Sequence, residues 1–225
     1  MGLFSRKRQR IDSLDLKLSR DDLLRRSRIL IIDDERPELI EDLQSAGFAV
    51  DYVSDITTQN IGLVDKQQYD LVILDFKSVG KAFGRDEGLD LLRHIKRVNP
   101  STIVFAYTSK SLGSEHADFY RASDGVLKKD AGVSESLEKI EDGLRRSRRV
   151  QNLWSGLLHV AGITPGSEED LVWQDLYVRG LSSPRKNQKL RDRVINTVSG
   201  DDGKRLAISI LEKLLEIGVR AVIGA

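Results

Sequence analysis

The chain has 225 residues, of which 40% are hydrophobic, enough for a buried core and more than one compact unit. It has no cysteine, which excludes disulfides and thiolate metal sites, and its three histidines are far apart in sequence, which argues against a zinc site. The net charge of +1 is uneven, with +5 over residues 1–28, −9 over residues 29–144 and +5 over residues 145–225. This asymmetry predicts a basic N-terminal arm of residues 1–27, a central domain of residues 28–144 and a C-terminal domain of residues 145–225.

Five strand-like segments alternate with helical segments in the central domain. They are predicted at residues 28–33, 48–53, 70–75, 102–107 and 125–128. The first and third are continuous runs of aliphatic side chains, typical of strands buried on both faces of a parallel sheet. Five strands alternating with helices predict right-handed βαβ units, and therefore an α/β fold with a doubly wound five-stranded parallel sheet.

The remaining segments are predicted to be helical, and they make the C-terminal domain all-α. Within the central domain, one helix starts at Pro37 and stops at Gly47, and another covers Gly88 to Val98. Apolar side chains then recur at three- and four-residue spacings, which predicts one long helix over residues 133–163. Further helices are predicted at residues 167–179, 185–198 and 203–220.

Acidic residues follow two of the predicted strands at the point where each strand ends. Asp33 and Asp34 follow the first strand, and Asp75 ends the third. If the two strands are parallel neighbours, their carboxyl ends lie at one edge of the sheet, and three carboxylates are expected to converge there. Their mutual repulsion calls for a counter-charge, and a hard divalent cation with oxygen ligands is the simplest one.

Two further residues at the same edge have the chemistry of a phosphoryl-binding site. Thr108 follows the fourth strand and Lys129 the fifth. A hydroxyl and an ammonium can bind two phosphoryl oxygens while a cation binds a third, and Asp75 is then the candidate nucleophile. Strand alternation favours Lys129 over its neighbour Lys128, because Lys129 lies on the same side of the strand as Leu127.

With these pieces in order at the ends of the strands, residues 28–144 resemble the receiver domain of two-component response regulators. The resemblance implies a flavodoxin-like receiver fold with Asp75 as the phosphoacceptor, and Thr108 and Lys129 as the switch and phosphate-binding residues. It also implies that Mg²⁺ is held by Asp33, Asp34 and Asp75 together with the backbone carbonyl of Lys77. A partner histidine kinase or phosphotransfer protein is implied as the phosphoryl donor.

The chain departs from the receiver pattern at three places. The loop from Phe76 to Glu87 is about five residues longer than usual, and Val79 stands where the usual proline follows the acceptor. On the fifth strand, Val126 replaces the aromatic residue that usually changes rotamer. After the lysine, Asp130 replaces the usual proline. These departures affect the usual route of signal transmission rather than the phosphoryl chemistry.

The sequence therefore predicts a cytoplasmic signalling protein with no membrane span. We expect this protein to catalyse at most its own phosphoryl transfer and dephosphorylation, and otherwise not to be an enzyme. Its signal is expected to pass along the long helix to a C-terminal module that acts as a homodimer or binds a protein partner. One alternative is a DNA-binding transcriptional regulator that uses the basic region of residues 180–198, although no helix-turn-helix can be placed there. Another is a scaffold whose receiver fold no longer accepts phosphate.

Overall fold

The structure of the chain is a computed structural model. It describes residue 11 and residues 18–65, 69–109 and 116–223. The chain divides into two compact units, one of Lys17–Arg148 and one that contains Arg149–Ala225. Most of the predicted basic arm (residues 1–10 and 12–17) lies outside the described residues.

The first unit contains the predicted five-stranded parallel sheet, in the order β2-β1-β3-β4-β5. Its strands and helices, in chain order, are α1 Arg20–Arg26, β1 Arg28–Ile32, α2 Leu39–Ser45, β2 Ala49–Val53, α3 Gly62–Asp65, β3 Leu71–Asp75, α4 Gly88–Val98, β4 Ile103–Thr108, α5 Ala117–Ala122, β5 Gly125–Lys128 and α6 Val133–Ser147. The α/β fold class and the doubly wound sheet are confirmed.

Two apolar layers cover the sheet, one on each face. Ile29, Ile31 and Leu71 point into the layer that contains α2 and α6, whereas Leu30 and Val72 point into the layer that contains α4. This alternation follows from the period of two along each strand. The central strands are buried on both faces, which explains why they are continuous aliphatic runs.

Helix α1 packs on this unit, so the residues just before the sheet belong to its fold. Ser19 caps the helix by accepting a hydrogen bond from the Asp22 N–H. Leu23 is fully buried and joins the same apolar layer as α2 and α6. The Arg20 guanidinium lies 2.8 Å from the Glu141 carboxylate on α6.

The second unit is all-α, as predicted. Its helices are α7 Val150–Ala161, α8 Glu168–Gly180, α9 Pro184–Thr197 and α10 Asp201–Ile223. Helix α7 packs against α10, and α8 packs against α9. Within the described residues, no helix is both long and apolar enough to cross a membrane.

The prediction of one long helix over residues 133–163 is wrong. Helix α6 ends at Ser147 and α7 begins at Val150, because Arg149 has extended backbone angles (φ −68°, ψ 136°). Arg148 turns inward instead of continuing the helix. Its guanidinium donates to the Arg26 carbonyl and lies 3.3 Å from the Asp70 carboxylate. A continuous helix therefore cannot be the mechanical link to the second unit.

Candidate phosphoryl-transfer site

The three predicted carboxylates meet at the carboxyl edge of the sheet. Strands β1 and β3 are neighbours with Ile32 opposite Leu74, so Asp33, one residue on, lies beside Asp75. Asp33, Asp34 and Asp75 each offer one oxygen, and these oxygens all lie within 4.8 Å of one another. Two oxygens on opposite sides of Mg²⁺ are about 4.2 Å apart, so the donor set fits a divalent cation after a small inward movement.

Lys129 supplies the positive charge at this edge. Its Nζ lies 2.6 Å from Oδ2 of Asp33 and 3.6 Å from Oδ2 of Asp75. Asp33 is fully buried, and its Oδ1 also accepts a hydrogen bond of 3.0 Å from the Glu35 N–H. The prediction that Lys129, rather than the exposed Lys128, points toward the carboxylates agrees with this geometry.

The electrostatics of the cluster favour a bound cation. Burial raises the pKa of Asp75 to about 6, an effect that Lys129 opposes and the carboxylates of Asp33 and Asp34 reinforce. Burial by itself would lower the pKa of Lys129, but its hydrogen bond to Asp33 and the negative charge of Asp75 raise it. One ammonium thus faces three carboxylates, and a divalent cation would complete the neutralisation.

Thr108 lies at the end of β4, next to Lys129 through the backbone and next to Tyr120 through its side chain. The Lys129 N–H donates a hydrogen bond of 2.8 Å to the Thr108 carbonyl. The Thr108 Oγ1 and the Tyr120 hydroxyl are 3.1 Å apart, at hydrogen-bonding distance. Sequence reasoning missed Tyr120, since it lies on α5, 12 positions after Thr108, and the sequence does not show how α5 packs.

Tyr107 was predicted only as a strand residue, yet it contacts the site. It lies opposite Asp75 in the register of β3 and β4, and the Lys129 Nζ lies 5.2 Å from the centroid of its ring. Burial, together with the charges of Asp33 and Asp75, raises the pKa of Tyr107 to about 12, so the phenol is neutral. The signal that could have found Tyr107 is alternation, because Tyr107 shares a sheet face with Leu127.

The long loop after Asp75 is tied down at several points. The Ser78 N–H donates 2.7 Å to the Glu87 carboxylate, and the Gly80 N–H donates to Asp55. Ser78 and Glu87 have positive φ angles of 62° and 48°, an unfavourable conformation for residues with side chains. Lys77, whose carbonyl the resemblance implies as a metal ligand, is an exposed residue of this loop.

Helix α4 begins against the end of β3 at a place that only glycine can occupy. A Cβ atom on Gly88 would lie 2.5 Å from the Asp75 carbonyl oxygen. The Gly88 N–H in turn donates 3.1 Å to the Phe76 carbonyl. The extra residues therefore form a defined loop that returns the chain to the backbone of Asp75 and Phe76.

Comparison with solved structures finds receiver domains over about half of the chain. A two-component response regulator from Clostridium difficile is 21% identical, with 54% of this chain and 98% of that one covered and a TM-score of 0.45. A CheY-like receiver domain protein from Methanospirillum hungatei JF-1 is 23% identical, with 54% and 95% covered and the same TM-score.

A longer stretch is similar to NtrX from Brucella abortus. That match is 16% identical and covers 77% of this chain and 40% of that one, with a TM-score of 0.47. At these identities the likeness concerns the fold alone. No protein-family model matches the chain, and no curated protein matches it.

Proposed function

We propose that the protein is a response-regulator-like signalling protein that accepts a phosphoryl group on Asp75 in a Mg²⁺-dependent reaction. The observation that carries this proposal is the meeting of three carboxylates and one lysine at the sheet edge. The donor is proposed to be the phosphohistidine of a partner kinase or phosphotransfer protein. Apart from this transfer and the hydrolysis of the resulting aspartyl phosphate to Asp75 and inorganic phosphate, no enzymatic activity is proposed.

In the proposed reaction, a carboxylate oxygen of Asp75 attacks the phosphorus atom. An O–P bond forms, the P–N bond of the phosphohistidine breaks, and the electron pair stays on the imidazole nitrogen. The Lys129 ammonium and the Thr108 hydroxyl would bind two phosphoryl oxygens, which stabilises the charge that develops on them. A divalent cation held by Asp33, Asp34 and Asp75 would supply further positive charge to the same oxygens.

Signal transmission is proposed to start at Thr108. A phosphoryl group that draws the Thr108 hydroxyl toward Asp75 would break its contact with Tyr120 on α5. This route does not need the aromatic residue of the usual receiver pattern, whose position on the fifth strand is occupied here by Val126. It also does not need a continuous helix between residues 133 and 163.

The helical unit is proposed to act through protein contacts, as a homodimer or with another protein.

In the DNA-binding alternative, α9 would be the recognition helix of residues 180–198. However, α8 and α9 run side by side: Gly180 is close to Asn187 at one end, and Glu169 pairs with Arg193 at 2.8 Å at the other. Helix-turn-helix motifs instead cross at about 90–120°. A mobility-shift assay of the full chain at low salt tests this alternative.

Acetyl phosphate with Mg²⁺, followed by intact-mass measurement, tests the phosphoacceptor. We expect the wild type to gain the mass of one phosphoryl group, and Asp75→Asn to gain none. Asp118→Asn is the matched control, since Asp118 is an exposed carboxylate on α5 with a pair to Arg121. No gain in the wild type, or an undiminished gain in Asp75→Asn, would favour the scaffold alternative. The cytoplasmic location stays a prediction.

A further inference from the structure

Tyr107 occupies an unusual place for a buried aromatic residue. Its side chain is only 4% exposed, and it packs in the apolar layer shared by α2 and α6. At the same time its ring lies beside the Lys129 ammonium, with the Nζ 5.2 Å from the ring centroid. Asp33, Tyr107 and Lys129 all line a cavity of about 370 Å³ on this side of the sheet. The aromatic ring is thus part of the surroundings of the lysine as well as of the core.

The other contacts of the ammonium are with carboxylates that the proposed cation also needs. Asp33 and Asp75 lie 2.6 and 3.6 Å from the Lys129 Nζ, and both belong to the three-carboxylate cluster. If these oxygens coordinate a divalent cation, Lys129 has to share them with the cation. The ammonium and the cation are both positively charged and then repel each other. Repulsion then favours rotation of the long lysine side chain toward solvent, away from the phosphoryl oxygen that it is proposed to bind.

The ring of Tyr107 is a partner for which the cation does not compete. The face of an aromatic ring attracts an ammonium through its quadrupole, and this attraction is stronger where the ammonium is shielded from water. Lys129 is about a quarter exposed, so most of it is shielded. The rigid strand β4 fixes the ring, because Tyr107 is hydrogen-bonded in register between β3 and β5.

We propose that Tyr107 is a positioning residue, whose ring holds the Lys129 ammonium at the phosphoryl site when the three carboxylates are occupied by a divalent cation. The proposal rests on the proposed function and assigns a role to a residue outside the resemblance. Tyr107 acts only through Lys129 and touches no reacting atom. The competing explanation is that Tyr107 serves only as a core residue, in which case its effect on the reaction would not depend on Lys129.

Two substitutions separate these explanations. Tyr107→Phe keeps the ring and nearly all of its volume, whereas Tyr107→Leu keeps an apolar side chain without the ring. With acetyl phosphate and Mg²⁺, we expect Tyr107→Phe to react within twofold of the wild type. We expect Tyr107→Leu to react about tenfold more slowly, equivalent to about 1.4 kcal/mol. Both rates are measured well below the unfolding midpoint of each variant, so that a less stable core does not lower them.

A double-mutant cycle gives the decisive comparison. In a Lys129→Met background, Tyr107→Leu should cause no further loss of rate if the ring acts through the ammonium. An equal loss with and without Lys129 would overturn the proposal, as would a Tyr107→Leu variant that reacts as fast as the wild type.

A second measurement does not depend on phosphorylation. The ε-methylene NMR signal of Lys129 should carry the ring-current shift of Tyr107 with and without Mg²⁺, keep it in Tyr107→Phe and lose it in Tyr107→Leu. A shift that disappears when Mg²⁺ is added would overturn the proposal. If the wild type accepts no phosphoryl group, the proposed function fails, and this NMR comparison still decides whether the ring holds the lysine.

Discussion

Replacing Arg148 by methionine removes a buried guanidinium that ties the end of α6 to the start of β3. In the folded protein this guanidinium lies 3.3 Å from Asp70, with both side chains less than 5% exposed, and it also donates to the Arg26 carbonyl. Removing one partner of a buried ion pair costs about 3–5 kcal/mol, since the other charge stays buried. Asp70 keeps the Arg28 N–H at 3.0 Å, so we expect the lower end, about 3 kcal/mol.

For a unit of the size of Lys17–Arg148, this loss corresponds to a fall in Tm of roughly 10–15 °C. Because a chain with two units need not unfold in one step, the assay must report the sheet unit separately. Hydrogen exchange of the β1 and β3 amides does so. Tryptophan fluorescence reports the other unit, because Trp154 and Trp173 both lie in Arg149–Ala225.

The adjacent exposed arginine provides the matched control. Arg149→Met removes the same charge from the next position and should change the stability by less than about 0.5 kcal/mol. The double variant Asp70→Asn and Arg148→Met should lose clearly less stability than the sum of the two single variants, because they share one interaction. Equal effects of Arg148→Met and Arg149→Met, or strict additivity with Asp70→Asn, would refute the reasoning.

Three further predictions concern the site and the helical unit. Asp75→Asn should stabilise the metal-free protein at pH 7 by about 1–2 kcal/mol, because burial raises the pKa of Asp75 to about 6 and so disfavours its ionised form. The contribution of Asp75 to stability should therefore fall as pH rises from about 4 to 6, so urea unfolding should find that the advantage of the variant over the wild type grows across this range. Asp170→Asn should cost about 2–3 kcal/mol in fluorescence-detected unfolding. The buried carboxylate accepts hydrogen bonds from the Trp154 indole at Oδ1 and from the Gly166 N–H at Oδ2, and the amide NH2 of asparagine cannot accept in place of one of these oxygens. Tyr120→Phe should still accept a phosphoryl group from acetyl phosphate. In the wild type, phosphorylation should change hydrogen exchange at α5 because the Thr108–Tyr120 contact is lost, and the variant should not show this change. The same change in both proteins would contradict the proposed route.

The sheet could be predicted because its strands are defined by local sequence. Continuous aliphatic runs such as residues 29–32 and 71–74 are buried on both faces, and their polar ends mark the edge. The positions of the three carboxylates and Lys129 follow from the order of the strands. The sequence carries the alternation directly, whereas the strand order was expected from the resemblance to receiver domains.

The break after α6 could not be predicted, because its cause lies far away in the sequence. Residues 145–149 consist of four arginines and a serine, and arginine is a good helix former, so local propensity favours an uninterrupted helix. The burial of Arg148 against Asp70 overrides this preference through a contact between residues 78 positions apart. Tyr120 was missed for a related reason, since its contact with Thr108 depends on how α5 packs.

The site also combines chemistry from both faces of the sheet, and this division explains how one phosphoryl group could have two separate effects. Asp75, Tyr107 and Lys129 lie on the side of α2 and α6, where alternation also places Leu127. Thr108 is one residue further along β4, so its side chain points to the opposite face, where it contacts Tyr120 of α5. The Lys129 N–H to Thr108 carbonyl hydrogen bond of 2.8 Å joins the two sides through the backbone. A phosphoryl group bound by the side chains of Lys129 and Thr108 would therefore fix the lysine on one face and release the Thr108–Tyr120 contact on the other. Substitutions at Tyr107 should then affect the rate of phosphorylation, and substitutions at Tyr120 the transmission of the signal.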